Sequence, residues 1–322
     1  MPQVSTIIPT TKRPDLLMRA VASVLMQSFA DLEVIVVIDG PNQDTVAALA
    51  STTDNRVRVI QNEIALGAAE ARNVGVAAAR GDWIAFLDDD DQWVHDKIEC
   101  QLVAAKAQNG PVIVSCLSKI ITAQGQYIWP RRIYDNVTPI DNYLFDRKSF
   151  FQGEAMLQTS TLLMPRSLFN SLKFNQVHDD WDLVLRAVKH KNVRIITVAK
   201  ALVVFHPDEE RESVSTTFPW RRSLEWIETN RPLVSRRAYS GFCLTVVGSQ
   251  AANAKDYSAF PMLLYRAFRR GSPRPIHIAL YLIFWIMPFR RRLWLRHFLH
   301  RVFSLLVLFL ILIALNYELV AT

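Results

Sequence analysis

Over its first 90 residues the chain alternates apolar strand-like runs with helix-like segments four times, and that rhythm leaves few folds open. Residues 4–8, 33–38, 57–61 and 83–87 are short runs rich in β-branched and aromatic side chains, with the composition of buried strands. Between them, residues 14–27 set Leu16, Leu17, Ala20, Val21, Val24 and Leu25 at helical spacing behind Pro14. A short helix is expected up to Ala50, and residues 68–79 form an alanine-rich helix before the break at Gly81. This alternation calls for a mostly parallel, Rossmann-like α/β sheet covered by helices on both faces. Ligands of such sheets gather at the carboxyl ends of the strands. Those ends carry Pro9-Thr10-Thr11, then Asp39, then residues 62–67, then Asp88, Asp89, Asp90 and Asp91.

Four consecutive aspartates behind a buried strand are costly, because like charges a few ångströms apart repel and raise one another's pKa. A divalent cation or a ring of donors relieves them. If the strand continues, side chains at i and i+2 share a face, which expects Asp88 and Asp90 together and Asp89 opposite. A solvated acidic turn capping a helix that begins near Val94 is the alternative. A calcium loop built on Asp88, Asp90, Gln92 and Glu99 fails, since Trp93 would stand where the tight turn needs glycine.

Past Ile98 the pattern loosens. Residues 112–115 and 119–122 read as two strands with a turn at Gln124 and Gly125, and residues 156–164 as another strand. His178, Asp179, Asp180, Trp181 and Asp182 then open a helix through Leu183, Leu185, Arg186 and Val188, where acids suit either chemistry or the N-terminal dipole.

The chain has 322 residues, enough for one large domain with an appendage or for two modest domains. Cys100, Cys116 and Cys243 have neither metal-type nor disulfide-type spacing, so three free thiols in a reducing compartment are expected. The N-terminus has no apolar leader of secretory type, which points to the cytosol. The net charge of +7 sits in the tail: residues 257–317 contain nine arginines and no Asp, Glu or Lys. Two apolar runs, 276–289 and 302–315, are fourteen residues each, shorter than the roughly 20 of a perpendicular membrane helix. Between them, residues 290–301 interleave arginines with Trp294, Leu295, Phe298 and Leu299, a basic amphipathic pattern suited to an anionic cytoplasmic leaflet. Two buried core helices are the competing expectation for the runs, and no nucleic-acid partner is expected. A chain ending near Asp256 is expected to be soluble. Three regions follow: 1–215, a helical extension over 216–256, and a membrane-associating segment over 257–322.

Taken in order, VSTIIPTTKRPDLLMRAVASVLMQSF, EVIVVIDGPNQDT, LGAAEARNVGVAAARGDWIAFLDDDDQW and HDDWDLVLR resemble the successive motifs of family 2 inverting glycosyltransferases, over about residues 3–190. The resemblance implies a GT-A fold and a nucleotide-diphospho-sugar donor. It implies that Pro9, Thr10 and Thr11 line the nucleotide pocket, that Asp39 meets the base, and that Arg72, Asp88 and Asp89 lie against the nucleotide sugar. Asp90 with Asp88 would hold Mg2+ or Mn2+ bridged to the diphosphate. A diphosphate is repelled by carboxylates, so acids serve it only through a hard cation with oxygen ligands, which then stabilises the departing diphosphate. Asp180 falls at the catalytic base, with Asp179 where the family usually has glutamate. His206 falls where the family often has a histidine and either helps with the metal or a phosphate or satisfies a local hydrogen bond, while Arg211 in the same stretch either clamps a phosphate or pairs with Glu209. The sequence departs from the family pattern in VIDGP and at Thr11. The implied activity is sugar transfer, by single displacement, to a glycan or lipid-linked acceptor at the cytoplasmic face of a membrane, in polysaccharide or glycolipid assembly. The alternative is a catalytically inactive nucleotide-sugar-binding or membrane scaffold protein.

Overall fold

The structure is a computed structural model that describes residues 1–123, 125–151, 153–207 and 219–287. Four parallel strands come first: β1 (Val4–Thr10), β2 (Leu32–Ile38), β3 (Val57–Gln61) and β4 (Trp83–Phe86). Helices α1 (Pro14–Leu25), α2 (Gln43–Ala50) and α3 (Ala68–Ala78) cross between them. Every residue of β1 and β2 is buried, which is why these stretches read as unbroken apolar runs. β1 pairs in parallel with β2 on one side and β4 on the other, so the winding reverses between β1 and β4. Ligand crevices of open α/β sheets form at such a reversal. The ends of β1 and β4 are Thr10 and the aspartate run.

The second half extends the sheet from β4 with mixed pairing. It consists of β5 (Gln92–Trp93), α4 (Lys97–Lys106), β6 (Val112–Thr122), β7 (Gly125–Trp129), α5 (Ile140–Phe145), β8 (Leu163–Pro165), α6 (Asp179–Lys191) and β9 (Arg194–Phe205). The order across the sheet is β3-β2-β1-β4-β8-β6-β9-β5, with β7 paired to β6. Three expectations are corrected here. The helix foreseen near Val94 starts at Lys97, because Gln92 and Trp93 pair with Val204 and Val203 and hold the chain extended. The two strands foreseen over 112–122 are one, β6, carrying a register shift around Leu117 that lets it follow β9. The strand foreseen over 156–164 shrinks to Leu163–Pro165, preceded by a 3₁₀ turn at Thr159–Thr161, since Gln158 and Ser160 bond to the aspartate run instead of a ladder.

Two apolar layers flank the sheet, with alternate side chains of β1 going to each: Ile8 to the layer of α1 and α4, Ile7 to that of α3 and α6. The second layer continues without a break into the helices Trp220–Thr229, Arg236–Gly241, Gly248–Asn253, Ala259–Arg270 and Pro275–Ile286. Close approach at Gly241, where a Cβ would stand 2.0 Å from the Phe145 carbonyl oxygen, seats that layer on α5. Asp182 of α6 is tied to it by the Trp226 indole N–H, which donates at 3.0 Å. Ala259, Leu263, Ala267 and Tyr281 are fully buried in this layer. A cut near Asp256 would therefore open the core, contrary to the expectation that such a chain is a neat soluble unit. Each large apolar side chain so exposed costs about 1.5–3 kcal/mol.

The first apolar run of the tail is largely the helix Pro275–Ile286, with Leu280, Tyr281 and Phe284 buried against its neighbours. Among the described residues no helix is long and apolar enough to cross a membrane. The second apolar run, the arginines of 290–301, Arg211 and Gln124 lie outside the described residues.

Candidate active site

β4 ends at Phe86, and the aspartates form a turn closed by the Asp91 amide, which donates to the Asp88 carbonyl at 3.0 Å. Strand alternation therefore does not continue into the run, yet Asp88 and Asp90 stand together as expected, and the turn adds Asp91 to them. Asp88, Asp90 and Asp91 each bring a carboxylate oxygen within 4.8 Å of the others. Asp91, which alternation did not single out, is fully buried and accepts from Gln158 Nε2 at 3.0 Å. The Asp88 amide donates to Ser160 Oγ at 3.0 Å, so the 3₁₀ turn Thr159–Thr161 braces the acids from below.

Asp89 turns the other way. Its carboxylate accepts from Thr10 Oγ1 at 2.7 Å and from Arg13 Nη1 at 3.2 Å, and Arg13 also donates to Asp90 at 2.8 Å. Burial pushes the Asp89 carboxyl up to about 6, with Arg13 and Thr10 pulling it down. Asp89 and Thr10, both expected at the nucleotide sugar, thus lock the aspartate turn to the end of β1. Arg13, at the start of α1, is a site residue that sequence reasoning missed; a cation beside the strand end opposite an acid run was the available signal.

Arg72 joins two parts of the site. Its guanidinium, buried in the middle of α3, donates to Asp88 Oδ1 at 2.5 Å through one nitrogen and to Asp179 Oδ2 through another. Burial alone would lower the guanidinium pKa, but Asp88 and Asp179 outweigh it and raise it, so the charge is permanent. Next to Asp179, the first residue of α6, stands Asp180. Burial and then the charge of Asp179 push its carboxyl up to about 7, against the pull of the Trp181 amide and Arg72. His178 enters α6 in the left-handed region at φ 50°, with its ring stacked on Trp181 and its Nε2 2.9 Å from Ser223 Oγ. Desolvation lowers His178 to about 4, so it is neutral at physiological pH and serves packing.

The end of β2 is organised around Asp39, whose Oδ1 accepts from Asn62 Nδ2 at 3.1 Å and the Leu66 amide at 2.8 Å. Its Oδ2 accepts from the Gly67 amide at 2.7 Å. Asp39 thereby fixes the loop leading into α3, where Gly67 takes φ 92°, a conformation that favours glycine. Pro9 is buried within β1, whereas Thr11 is exposed and its carbonyl accepts from Thr45 Oγ1 at 3.1 Å. The antiparallel pairing of β5 with β9 brings the end of β9, and His206 just after it, to the same edge of the site as the aspartate turn. Pro9, Thr10, Thr11, Asp39 and the aspartates thus ring the carboxyl ends of three adjacent strands, and Arg72 links this ring to Asp179, the residue before Asp180.

The donor set suits a hard divalent cation. Three carboxylates give oxygen ligands only, at a spacing one ion spans, and leave further coordination positions for water and phosphate oxygens. Four acids against Arg13 and Arg72 leave a negative surplus that such an ion would neutralise.

Comparison with known proteins agrees with this geometry. The chain matches the model of glycosyl transferase family 2 over residues 5–172, more than half its length, and it belongs to that family. The chain is a glycosyltransferase with a GT-A fold. It is similar to WfgD of Escherichia coli, a UDP-Glc:alpha-D-GlcNAc-diphosphoundecaprenol beta-1,3-glucosyltransferase, at 29% identity over 197 residues, 60% of this chain and 72% of WfgD. It is 26% identical to the amylovoran biosynthesis glycosyltransferase AmsB of Erwinia amylovora over 72% of this chain and 79% of AmsB. Among solved structures, S. aureus TarS 1-349 in complex with UDP-GlcNAc superposes with a TM-score of 0.57 at 18% identity, covering 88% of this chain and 90% of that one. The mannosyltransferase PcManGT from Pyrobaculum calidifontis, in complex with GDP-Man and Mn2+, gives 0.56 at 19% identity, covering 91% and 87%.

Proposed function

We propose that the chain is a metal-dependent inverting glycosyltransferase that moves a sugar from a nucleotide diphosphate, of the UDP type, to a hydroxyl of a lipid-linked glycan. The observation that carries this is the Arg72 guanidinium, which binds Asp88 and Asp179 at once and so joins the acidic turn to the N-terminus of α6, where Asp180 follows Asp179. Pro9, Thr10, Thr11 and Asp39 face the nucleoside end of the donor, and Asp88 and Arg72 the ribose and diphosphate. Asp90, Asp88 and Asp91 would hold Mg2+ or Mn2+, with His206 following β9 at the same edge of the site. When bound, the ion supplies Lewis-acid stabilisation of the leaving diphosphate.

Asp180 is the base. Its carboxylate takes the proton from the acceptor hydroxyl while that oxygen bonds to the anomeric carbon from the face opposite the diphosphate. The bond to the phosphate oxygen breaks in the same step, and the configuration inverts. A carboxyl with a pKa of about 7 is matched to this task near neutral pH. Asp179 and Arg72 keep it in place; the N-terminus of α6 further stabilises the anionic form.

The acceptor assignment rests on WfgD, which acts on a diphosphoundecaprenol-linked sugar, and on the arginine-rich, apolar composition of residues 257–317. Both favour work at the cytoplasmic surface of a membrane. The test is Asp180→Asn: transfer falls by about 10²–10⁴-fold while donor affinity, read by calorimetry with Mn2+, stays within twofold or so. Near-normal turnover of that variant, or a retained anomeric configuration in the wild-type product by NMR, removes the mechanism.

A further inference from the structure

The helical layer that closes the core leaves apolar side chains facing outward in a regular pattern. Tyr257, 70% exposed, leads into Pro261, Tyr265 and Phe268 along Ala259–Arg270, the last two 67% and 54% exposed. These positions recur at intervals of three and four, so they form one stripe, opposite the buried Leu263 and Ala267. The next helix repeats the pattern with Pro275, Ala279, Leu282 and Ile286, of which Ile286 is 80% exposed. The two helices pack antiparallel through Phe260 stacked on Tyr281 at 5.2 Å, and the stripes meet where Tyr257 contacts Trp285 at 5.9 Å. Contiguous apolar surface of this kind on a soluble face marks a docking surface.

Charge decides between its possible occupants. Residues 219–287 carry ten basic side chains and three acidic ones, whereas residues 1–218 carry 22 basic and 26 acidic. A second copy would bring a like-charged face, and so would residues 288–301, which hold five arginines and no acid. An anionic lipid surface instead gains from both the aromatic stripe and the arginines at its rim, such as Arg269. In the sequence the first arginine of the 288–301 segment follows Ile286 by four residues.

We propose that the outer stripes Tyr257–Pro261–Tyr265–Phe268 and Leu282–Ile286 are a second membrane contact, separate from the tail, by which the folded body itself lies on an anionic bilayer. The surface belongs to the same layer as Phe242, whose ring lies 6.1 Å from that of Trp181, the neighbour of Asp180. The helices Ala259–Arg270 and Pro275–Ile286 pack on the segment Phe242–Val247, which in turn meets α6 at Trp181, so two helices stand between the lipid surface and Asp180. The inference deepens the membrane part of the proposed function and does not depend on the transfer chemistry.

The test uses the full chain with Cys100→Ser and an environment-sensitive fluorophore attached through Tyr265→Cys, Phe268→Cys or, on the opposite side of the sheet, the exposed Val103→Cys. With phosphatidylglycerol vesicles the labels at 265 and 268 shift to the blue and the label at 103 does not; with phosphatidylcholine vesicles none shifts. Tyr265→Ser with Phe268→Ser lowers affinity for the anionic vesicles at least tenfold and leaves donor hydrolysis without vesicles unchanged. The proposal is overturned if the chain binds vesicles while the 265 and 268 labels stay unshifted. It also falls if those labels are already shifted without lipid, which indicates cover by the chain's own residues, or shift with protein concentration alone, which indicates a second copy. Loss of donor hydrolysis in every chain, with the vesicle shifts intact, would count against the enzymatic assignment and not against this surface.

Discussion

Arg72 is the side chain on which the site converges, since its two hydrogen bonds reach the aspartate turn at Asp88 and the start of α6 at Asp179. In the proposed mechanism the Asp180 carboxyl, raised from 3.8 to about 7, acts as the base only when ionised. Transfer at limiting acceptor should therefore fall about tenfold per pH unit below about 7, a slope that Asp180→Asn abolishes in the residual activity. The same shift has a stability consequence. A carboxyl whose folded pKa is raised favours the folded state below about 4 and loses that contribution as pH rises through about 7. The Tm of Asp180→Asn relative to the wild type should accordingly be higher at pH 8 than at pH 5. Asp91→Asn and Asp90→Asn should each weaken Mn2+ binding, measured by calorimetry, by about 10–100-fold. The motifs that carry Asp88, Asp90, Arg72 and Asp180 were legible because they stand in a fixed order along the chain. Asp91, Arg13, Gln158 and Ser160 were not, because they enter through a turn and through partners up to 77 residues away.

The strands and helices that position these residues were plain where one face or both faces of an element are buried. β1, β2, β3 and α1 to α3 fall within one or two residues of their expected bounds. Legibility failed where polar side chains divert the backbone: residues 158–161 look extended but curl to serve the acids, and Gln92 with Trp93 delays the next helix. The seating of α3 on β1 was also hidden, because it depends on an absent side chain. A Cβ at Gly75 would stand 2.5 Å from Cγ2 of the fully buried Ile7. Gly75→Ala should therefore lose about 1–3 kcal/mol in urea unfolding, and donor affinity should fall with it because Arg72 lies one turn away on the same helix.

The molecule as a whole is a nucleotide-binding sheet with a mixed-strand extension and a helical layer sharing one core. That sharing was not visible in the sequence, where the apolar composition of 276–289 suits lipid and protein interior alike; packing against Phe260 and Gly248 puts its first half inside. A chain ended after Met287 should keep a Tm within a few degrees of the full chain, whereas one ended at Asp256 should aggregate or melt at least about 10 °C lower on heating. What the assembled molecule must do is bring an anionic donor to a ring of acids. The most direct measurement is donor-dependent transfer after exhaustive chelation and again after adding Mn2+. Chelation should abolish both donor affinity and turnover, and adding the ion should restore them. Affinity and turnover that are indifferent to the chelator would contradict a metal-dependent mechanism.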